Sequence, residues 1–229
     1  MTDPRRTLKI EAARHALGQV RSGMLLGLGT GSTSEEFVRL LGEAIASGAL
    51  QSIRAVCTSQ RTEDLADSLG IGRIDLAEAG WLDLAVDGAD EVDRHLRLIK
   101  GRGAALLREK IVEQASRRFL VIVDETKLVE RLGEGPLPVE VTRFAGPLLL
   151  RRFSELGLQP KPRMLGESWL LTDENHFILD VMVPADVDIG ATVEMLREMA
   201  GVVETGFFPI EATEVIVAAD GGVRVLQRE

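Results

Sequence analysis

The sequence predicts an α/β fold in two parts. A Rossmann-like domain with a mostly parallel sheet covers residues 1–130 plus 207–229, and a smaller ferredoxin-like α+β domain covers 131–206. Three observations carry this prediction. Helical and strand periodicities alternate through the first 125 residues, the rhythm of a parallel sheet with helices on both faces. Beyond Pro136 the order becomes β-α-β-β-α-β, that of a split βαβ unit. The tail reads as a hairpin, Glu214–Ala218 and Val223–Leu226 about Asp220-Gly-Gly222, and its return to the first domain would make the smaller domain an insertion.

Each element has its own signal. Leu8–Val20 places Ile10, Ala13, Leu17 and Val20 at helical spacing. Met24–Leu28 is a short apolar strand, and Ser34–Ala46 a helix turning Phe37, Leu40, Leu41 and Ile45 inward. Strand Ile53–Thr58, helix Arg61–Leu69, strand Leu82–Val86, helix Ala104–Ser116 and strand Phe119–Val123 follow. In the second part the pattern predicts strand Val139–Val141, helix Ala145–Leu156, and one interrupted or two short strands over Pro160–Leu171. A turn at Thr172–Asn175, strand His176–Val183, helix Ala191–Met199 and strand Val202–Thr205 complete it.

Composition narrows the function. A formal net charge of −9 and only 4% aromatic residues, with no tyrosine, argue against a nucleic-acid footprint or a base-stacking platform. A local pocket potential can still oppose the global sign and admit a small anion. The single cysteine, Cys57, removes any intrachain disulfide and any Cys-rich zinc site, the pattern of a reducing cytoplasm. The segment from Met1 into Arg5-Arg6 lacks a signal-peptide apolar core, and no run approaches the ~18 apolar residues of a membrane span. The expectation is a cytoplasmic protein with no membrane partner.

Three motifs carry chemistry. Gly27-Leu-Gly29-Thr30-Gly31-Ser32-Thr33 lies between a strand and a helix, where glycines allow close approach and helix N-terminal N–H groups bind anions. A phosphate suits it; the alternative is a glycine-rich turn capped by Thr33 or Ser34. It is neither the dinucleotide fingerprint nor a P-loop, because Ser32 takes the final glycine's place, Thr58-Ser59 ends the next strand without an acid, and no Gly-Lys-Ser/Thr follows. Asp87-Gly-Ala-Asp90-Glu91 exits the strand Leu82–Val86, at the carboxyl end where open parallel sheets bind ligands. Its carboxylates suit sugar hydroxyls and proton transfer; a solvated Asp-Gly turn, or a hard cation on Asp87, Asp90, Glu91 and Asp93, are the alternatives.

The third motif is Lys100-Gly-Arg102-Gly103 leading to Glu109. Ala105, Glu109 and Val112 share a helical face, so burial would tune Glu109 towards a general base; the alternative is a solvated helix glutamate beside Arg108, Lys110 and Glu113. Lys9 and Lys127 are lesser candidates, and His15, His95 and His176 are scattered without metal spacing.

Together these stretches, with Thr58-Ser-Gln-Arg-Thr-Glu63 and Pro136-Leu-Pro-Val-Glu-Val141, resemble the ribose-5-phosphate isomerases of the A type. The resemblance spans nearly the whole chain, more weakly after residue 142. It implies interconversion of D-ribose 5-phosphate and D-ribulose 5-phosphate through an enediolate in the non-oxidative pentose phosphate pathway, with no metal and no cofactor. It matches Glu109 to the base, Asp87 and Asp90 to carboxylates for ring opening and hydroxyl protons, and Lys100 to the cation that stabilises the enediolate. The substrate-binding set it implies is Lys9, Thr30, Gly31, Ser32, Thr33, Asp87, Gly88, Ala89, Asp90, Lys100, Gly101, Arg102, Gly103 and Lys127, and the expected assembly a homodimer or homotetramer.

One departure stands out: many members have three glycines where this chain has Gly101-Arg102-Gly103. A positive φ at residue 102 would strain an arginine by about 1–2 kcal/mol, and an inward side chain would add charge to the phosphate pocket. Competing readings are a sugar-phosphate sensor domain, a hexosamine-phosphate deaminase-isomerase, and an NAD-dependent oxidoreductase. The first lacks room for a DNA-binding helix-turn-helix, the second a histidine close to the carboxylates, and the third the glycine spacing.

Overall fold

Short runs of buried Leu, Val, Ile and Ala build the main sheet in the computed structural model, which describes residues 5–209 and 212–227. Met1–Pro4, on which part of the leader-peptide expectation falls, lie outside the described residues. The chain divides into two compact units. The first takes the described residues of Met1–Ala89, Arg108–Leu128 and Glu211–Glu229, and the second those of Asp90–Leu107 and Val129–Ile210.

In the first unit seven strands lie in the order Gly222–Gln227, Glu214–Ala219, Phe119–Asp124, Leu84–Asp87, Leu25–Leu28, Arg54–Cys57, Gly72–Arg73. All neighbours are parallel except the Glu214–Ala219 and Gly222–Gln227 hairpin. Leu84–Asp87 and Phe119–Asp124 are buried at every position, as strands covered on both faces must be. The tail does return here: Glu214–Ala218 pairs in register with Leu120–Asp124. Leu25–Leu28 has Arg54–Cys57 on one side and Leu84–Asp87 on the other. Successive connections therefore leave it in opposite directions, a topological switch point whose crevice opens at the strands' carboxyl ends.

Helix boundaries shift for identifiable reasons. The helix expected from Ser34 starts at Ser32, because Gly31 at φ 115° breaks the chain direction and Glu35 N already donates to Gly31 O. The helix expected from Ala104 starts at Leu106, since Ala104 sits at φ 63° in the left-handed region. The first helix ends at Leu17 rather than Val20, where i to i+3 bonds from Gln19 and Val20 close tight turns.

In the second unit the expected β-α-β-β-α-β order is present: strand Leu137–Val141, helix Gly146–Glu155, strand Lys161–Pro162, strand Phe177–Val181, helix Ile189–Arg197, strand Val202–Thr205. These strands form an antiparallel sheet in the order Val202–Thr205, Leu137–Val141, Phe177–Val181, Lys161–Pro162. The segment 160–171 is interrupted, as Met164–Leu165 and Ser168–Trp169 fold into their own hairpin. The last helix starts at Ile189, two residues early, because the Asp188 carboxylate caps it by accepting from Ala191 N at 2.8 Å.

The observed division differs from 1–130 plus 207–229 and 131–206 chiefly in residues 90–107, which belong to the second unit. Glu91–Val92, Leu98–Ile99 and Phe207–Phe208 form a small antiparallel sheet there. Ile99 and Phe207 pack into the same core as Val139, Leu179 and Leu196, and Val129 N donates to Val92 O. His95 lies in the turn before the strand Leu98–Ile99, where Leu96 has φ 59°. Among the described residues no helix is long and apolar enough to cross a membrane.

Candidate active site

In the first unit the phosphate-loop candidate and the Asp-Gly motif meet at the switch point. Gly29 N donates to Val86 O across the parallel pair. Asp87, 1% exposed, accepts at a single oxygen, Oδ1, from Thr30 N at 3.0 Å, Ser34 Oγ at 2.9 Å and Gly88 N at 2.7 Å. Three short donors hold the carboxylate in one orientation. Gly29 is required here, since a Cβ would fall 2.0 Å from Asp87 Oδ1.

The Thr30 hydroxyl is turned into the protein. It lies 2.7 Å from Thr58 Oγ1 and donates to Ser59 Oγ at 2.7 Å, with Thr62 beside them donating to Gly29 O. Ser59 caps the next helix by accepting from Thr62 N. This hydroxyl cluster fixes the loop Gly29–Gly31, leaving the first N–H groups of the helix Ser32–Ala46, those of Ser32 and Thr33, without a partner inside that helix. Lys9, 9% exposed on the helix Arg6–Leu17, places its ammonium 2.8 Å from Ser32 Oγ. A helix N-terminus with an adjoining ammonium is equipped to bind a phosphate.

Glu109 is 3% exposed, so the solvated-glutamate alternative does not describe it, and Lys110 and Glu113 beside it are buried too. Its helix, Leu106–Gln114, seats on the strand Leu25–Leu28: Val112 Cγ1 occupies the space a Cβ on Gly27 would need, only 2.6 Å away. Ala105, read as part of that helix face, precedes the helix but is buried. Lys127 ends the short turn Glu125–Lys127 after the strand Phe119–Asp124, so it too follows the carboxyl end of a central strand. Gly88 and Ala89 are partly buried beyond Asp87.

In the second unit Asp90 and the glycine-rich turn are joined directly. Arg102 N donates to Asp90 Oδ2 at 2.9 Å, and Asp90 N to Ile99 O at 2.8 Å. Lys100 is 2% exposed, its N–H donates to Gly206 O, and its ammonium stands 5.6 Å from the centre of the Phe208 ring, a cation–π distance. The positive φ of the turn falls on Gly101, at 102°, and on Ala104, not on Arg102. Arg102 therefore carries no left-handed strain. Its guanidinium lies 3.1 Å from Glu91 Oε1, and Gly103 is exposed.

Glu91 is a structural carboxylate. Besides Arg102 it accepts from Gly133 N at 2.7 Å and Gly135 N at 2.6 Å. Asp93 closes its own turn, accepting from the backbone of His95 and Arg97 and from the Arg97 guanidinium. All four acids weighed as cation ligands thus accept from N–H donors, and among the described residues no group of three His, Cys, Asp or Glu side chains is placed to hold a metal ion. Sequence reading missed three residues that support the site: Ser34, read only as a helix cap; Phe208 beside Lys100; and Arg163, whose guanidinium holds the Lys100–Gly103 turn. Ser34 carried a signal in its motif, whereas Arg163 lies about 60 residues from that turn with none.

The fold and these loops define a sugar-phosphate isomerase class, and the comparisons define the family. Residues 54–222 match the family described as ribose 5-phosphate isomerase A (phosphoriboisomerase A). The chain is 46% identical to ribose-5-phosphate isomerase A of Agrobacterium fabrum, over 97% of this chain and 98% of that one. It is 48% identical to that of Rhizobium meliloti, over 96% and 97%. A solved D-ribose-5-phosphate isomerase in complex with phospho-erythronic acid superposes with a TM-score of 0.92 at 39% identity, covering 97% of this chain and 98% of that one. Ribose 5-phosphate isomerase A from Methanocaldococcus jannaschii gives 0.91 at 37%, covering 98% and 100%. This chain belongs to the ribose 5-phosphate isomerase A family.

Proposed function

We infer that the chain interconverts D-ribose 5-phosphate and D-ribulose 5-phosphate, a step of the non-oxidative pentose phosphate pathway. Family membership over nearly the full length supports the reaction, and the phosphorylated sugar acid in a 39% identical relative supports the ligand class. The observation that carries the site is Asp87, buried at the carboxyl end of its strand and oriented through one oxygen by three donors. It stands beside a helix N-terminus that Lys9 adjoins.

In this reading the Ser32–Thr33 N–H groups and Lys9 tether the phosphate, with Lys127 and the turn Lys100–Gly103 completing the substrate contacts. Asp87 and Asp90 relay protons between the ring oxygen and the C1 hydroxyl, opening the furanose to the aldehyde. The Glu109 carboxylate then takes the proton from C2, and the electron pair moves to the C1 oxygen to give the 1,2-enediolate. Lys100 stabilises that oxyanion. Return of the carbon-bound proton from Glu109 to C1, with transfer of the C2 hydroxyl proton to the C1 oxygen, leaves the ketone at C2 and a hydroxyl at C1. The chemistry needs a carboxylate base, a cation for the oxyanion and a tether, and this residue set supplies all three without a metal. The β-α-β-β-α-β order supports a ferredoxin-like second unit. We also place the protein in the cytoplasm as a homodimer or homotetramer; the lone cysteine, Cys57, is buried, and burial pushes its thiol up to about 12, out of thiolate chemistry.

The test is proton NMR of ribose 5-phosphate in D₂O with catalytic amounts of chelator-treated protein. Ribulose 5-phosphate should form with deuterium at the migrating position. Binding without conversion would replace the isomerase by a sensor, and conversion without label would replace open proton exchange by a shielded transfer.

A further inference from the structure

Arg163 and Asp180 form a partly buried clamp on the glycine-rich turn. The Arg163 side chain is 14% exposed and its backbone is fixed on both sides, donating to Ile178 O at 2.9 Å and accepting from Leu170 N at 2.8 Å. Its guanidinium takes the Asp180 carboxylate in a two-pronged pair, Nε to Oδ2 at 3.0 Å and Nη2 to Oδ1. Nη1 points elsewhere, donating to Gly101 O at 2.6 Å and Arg102 O at 3.1 Å.

The peptide joining residues 101 and 102 is held at both ends. Its carbonyl, on Gly101, accepts from Arg163, and its N–H, on Arg102, donates to Asp90 Oδ2 at 2.9 Å. A trans peptide is planar with C=O and N–H directed oppositely. Fixing the carbonyl therefore fixes the line along which the N–H meets Asp90. The same plane rule turns the Gly103 N–H away from Arg163, because the Arg102 carbonyl faces it. Charge reinforces the arrangement: a guanidinium at the carbonyl polarises the peptide and strengthens its N–H as a donor to the carboxylate. Only a planar fork with several donors can hold Asp180 and two carbonyls at once; a lysine ammonium has no such geometry.

We propose that Arg163, anchored by Asp180, is a positioning residue for the isomerisation: through the 101–102 peptide it sets the orientation of Asp90 and the conformation of the Lys100–Gly103 turn. The proposal rests on the isomerase reading above. It assigns Arg163 no contact with substrate.

The test compares Arg163→Gln, Arg163→Lys, Arg163→Ala and Asp180→Asn in the full chain, with ribose 5-phosphate as substrate. A misoriented reacting group costs turnover more than affinity, so kcat should fall about thirtyfold or more in Arg163→Gln and Arg163→Lys while KM stays within about threefold. Asp180→Asn should fall less, because the carbonyl contacts survive. Methylguanidinium at millimolar concentration should restore at least about fivefold of the lost turnover to Arg163→Ala but nothing to Arg163→Lys, whose side chain still fills the space. Thermal melting of each variant separates these effects from unfolding. Arg163→Lys with kcat within about twofold of the parent, or losses that follow melting temperature with no chemical rescue, would overturn the proposal. A parent chain without isomerase activity would sink the underlying reading instead, whereas an active parent with indifferent Arg163 variants would sink this inference alone.

Discussion

Asp87 and Lys100 are both ionisable and almost fully buried, yet the two units hold their groups by different means. Asp87 in the first unit is oriented by neutral donors, two backbone N–H groups and the Ser34 hydroxyl. In the second unit the turn after Lys100 is held by charge, through Arg163 with Asp180 and through Arg102 with Glu91. Neutral donors fix the direction of the carboxylate through its Oδ1. Ion pairs cancel charge locally, which suits groups that serve as scaffold. Hydrogen bonds to a charged group contribute about 1.5–3 kcal/mol each, while Arg102, 40% exposed, is discounted to about 1 kcal/mol or less by solvent. Each of Asp87's bonds is therefore stiffer than the exposed Arg102–Glu91 pair.

The largest test of this contrast is Glu109→Gln, which removes the proposed base from the first unit while keeping its shape. We expect kcat to fall about a thousandfold with the fold retained by circular dichroism; near-parent turnover would remove the chemistry from that helix. Next is Gly29→Ala. Its methyl would collide with Asp87, so turnover should drop about a hundredfold and stability by about 1–3 kcal/mol, both read from one purified sample by steady-state kinetics and urea unfolding. A neutral result would mean Asp87 tolerates reorientation, and the stiffness contrast would fail.

Glu91→Gln probes the second unit. It strips charge from a carboxylate serving Gly133, Gly135 and Arg102, so we expect about 2 kcal/mol of destabilisation and only a few-fold loss of kcat; a hundredfold loss would make Glu91 more than scaffold. The smallest effect concerns Glu140, whose carboxyl is pushed above the ordinary carboxylate range by burial, against the lowering influence of Thr172 and His176. A carboxyl with a raised folded pKa contributes stability that is present below 4.5 and is lost as pH rises through the raised value. Glu140→Gln should therefore gain on the parent as pH climbs from 4.5 through the raised value and hold a constant advantage above it, measured as the difference in unfolding midpoints. A difference that stays constant across that rise would contradict it.

Legibility followed the same divide. Strands such as Phe119–Asp124 and Val202–Thr205 were readable because local apolar patterning determines them, and Asp87, Glu109 and the loop Gly29–Thr33 because glycine and acid motifs mark them. Gly72–Arg73 and Leu76–Ala79 are too short to carry periodicity and exist through pairing and a single turn. Residues 90–107 looked like part of the first domain because they continue its motif; their membership is decided by Ile99 in the second core and by the bonds of Glu91 to Gly133 and Gly135. Whether Arg102 is strained was undecidable without knowing that Gly101 and Ala104 take the left-handed positions. Arg163 illustrates the general limit: an ion-pair partner is chosen by tertiary proximity, which a window of sequence does not contain.

The strand Glu214–Ala219 pairs with Phe119–Asp124 near the middle of the main sheet, although some 90 residues separate them in the chain. During synthesis from the N-terminus, Phe119–Asp124 emerges well before its partner Glu214–Ala219 and must wait as an uncovered apolar edge until that partner appears. The second unit, complete in sequence before that strand appears, is free to fold first. The first unit is thus completed after the second, and the wait with an open edge is its period of exposure to aggregation or chaperone capture.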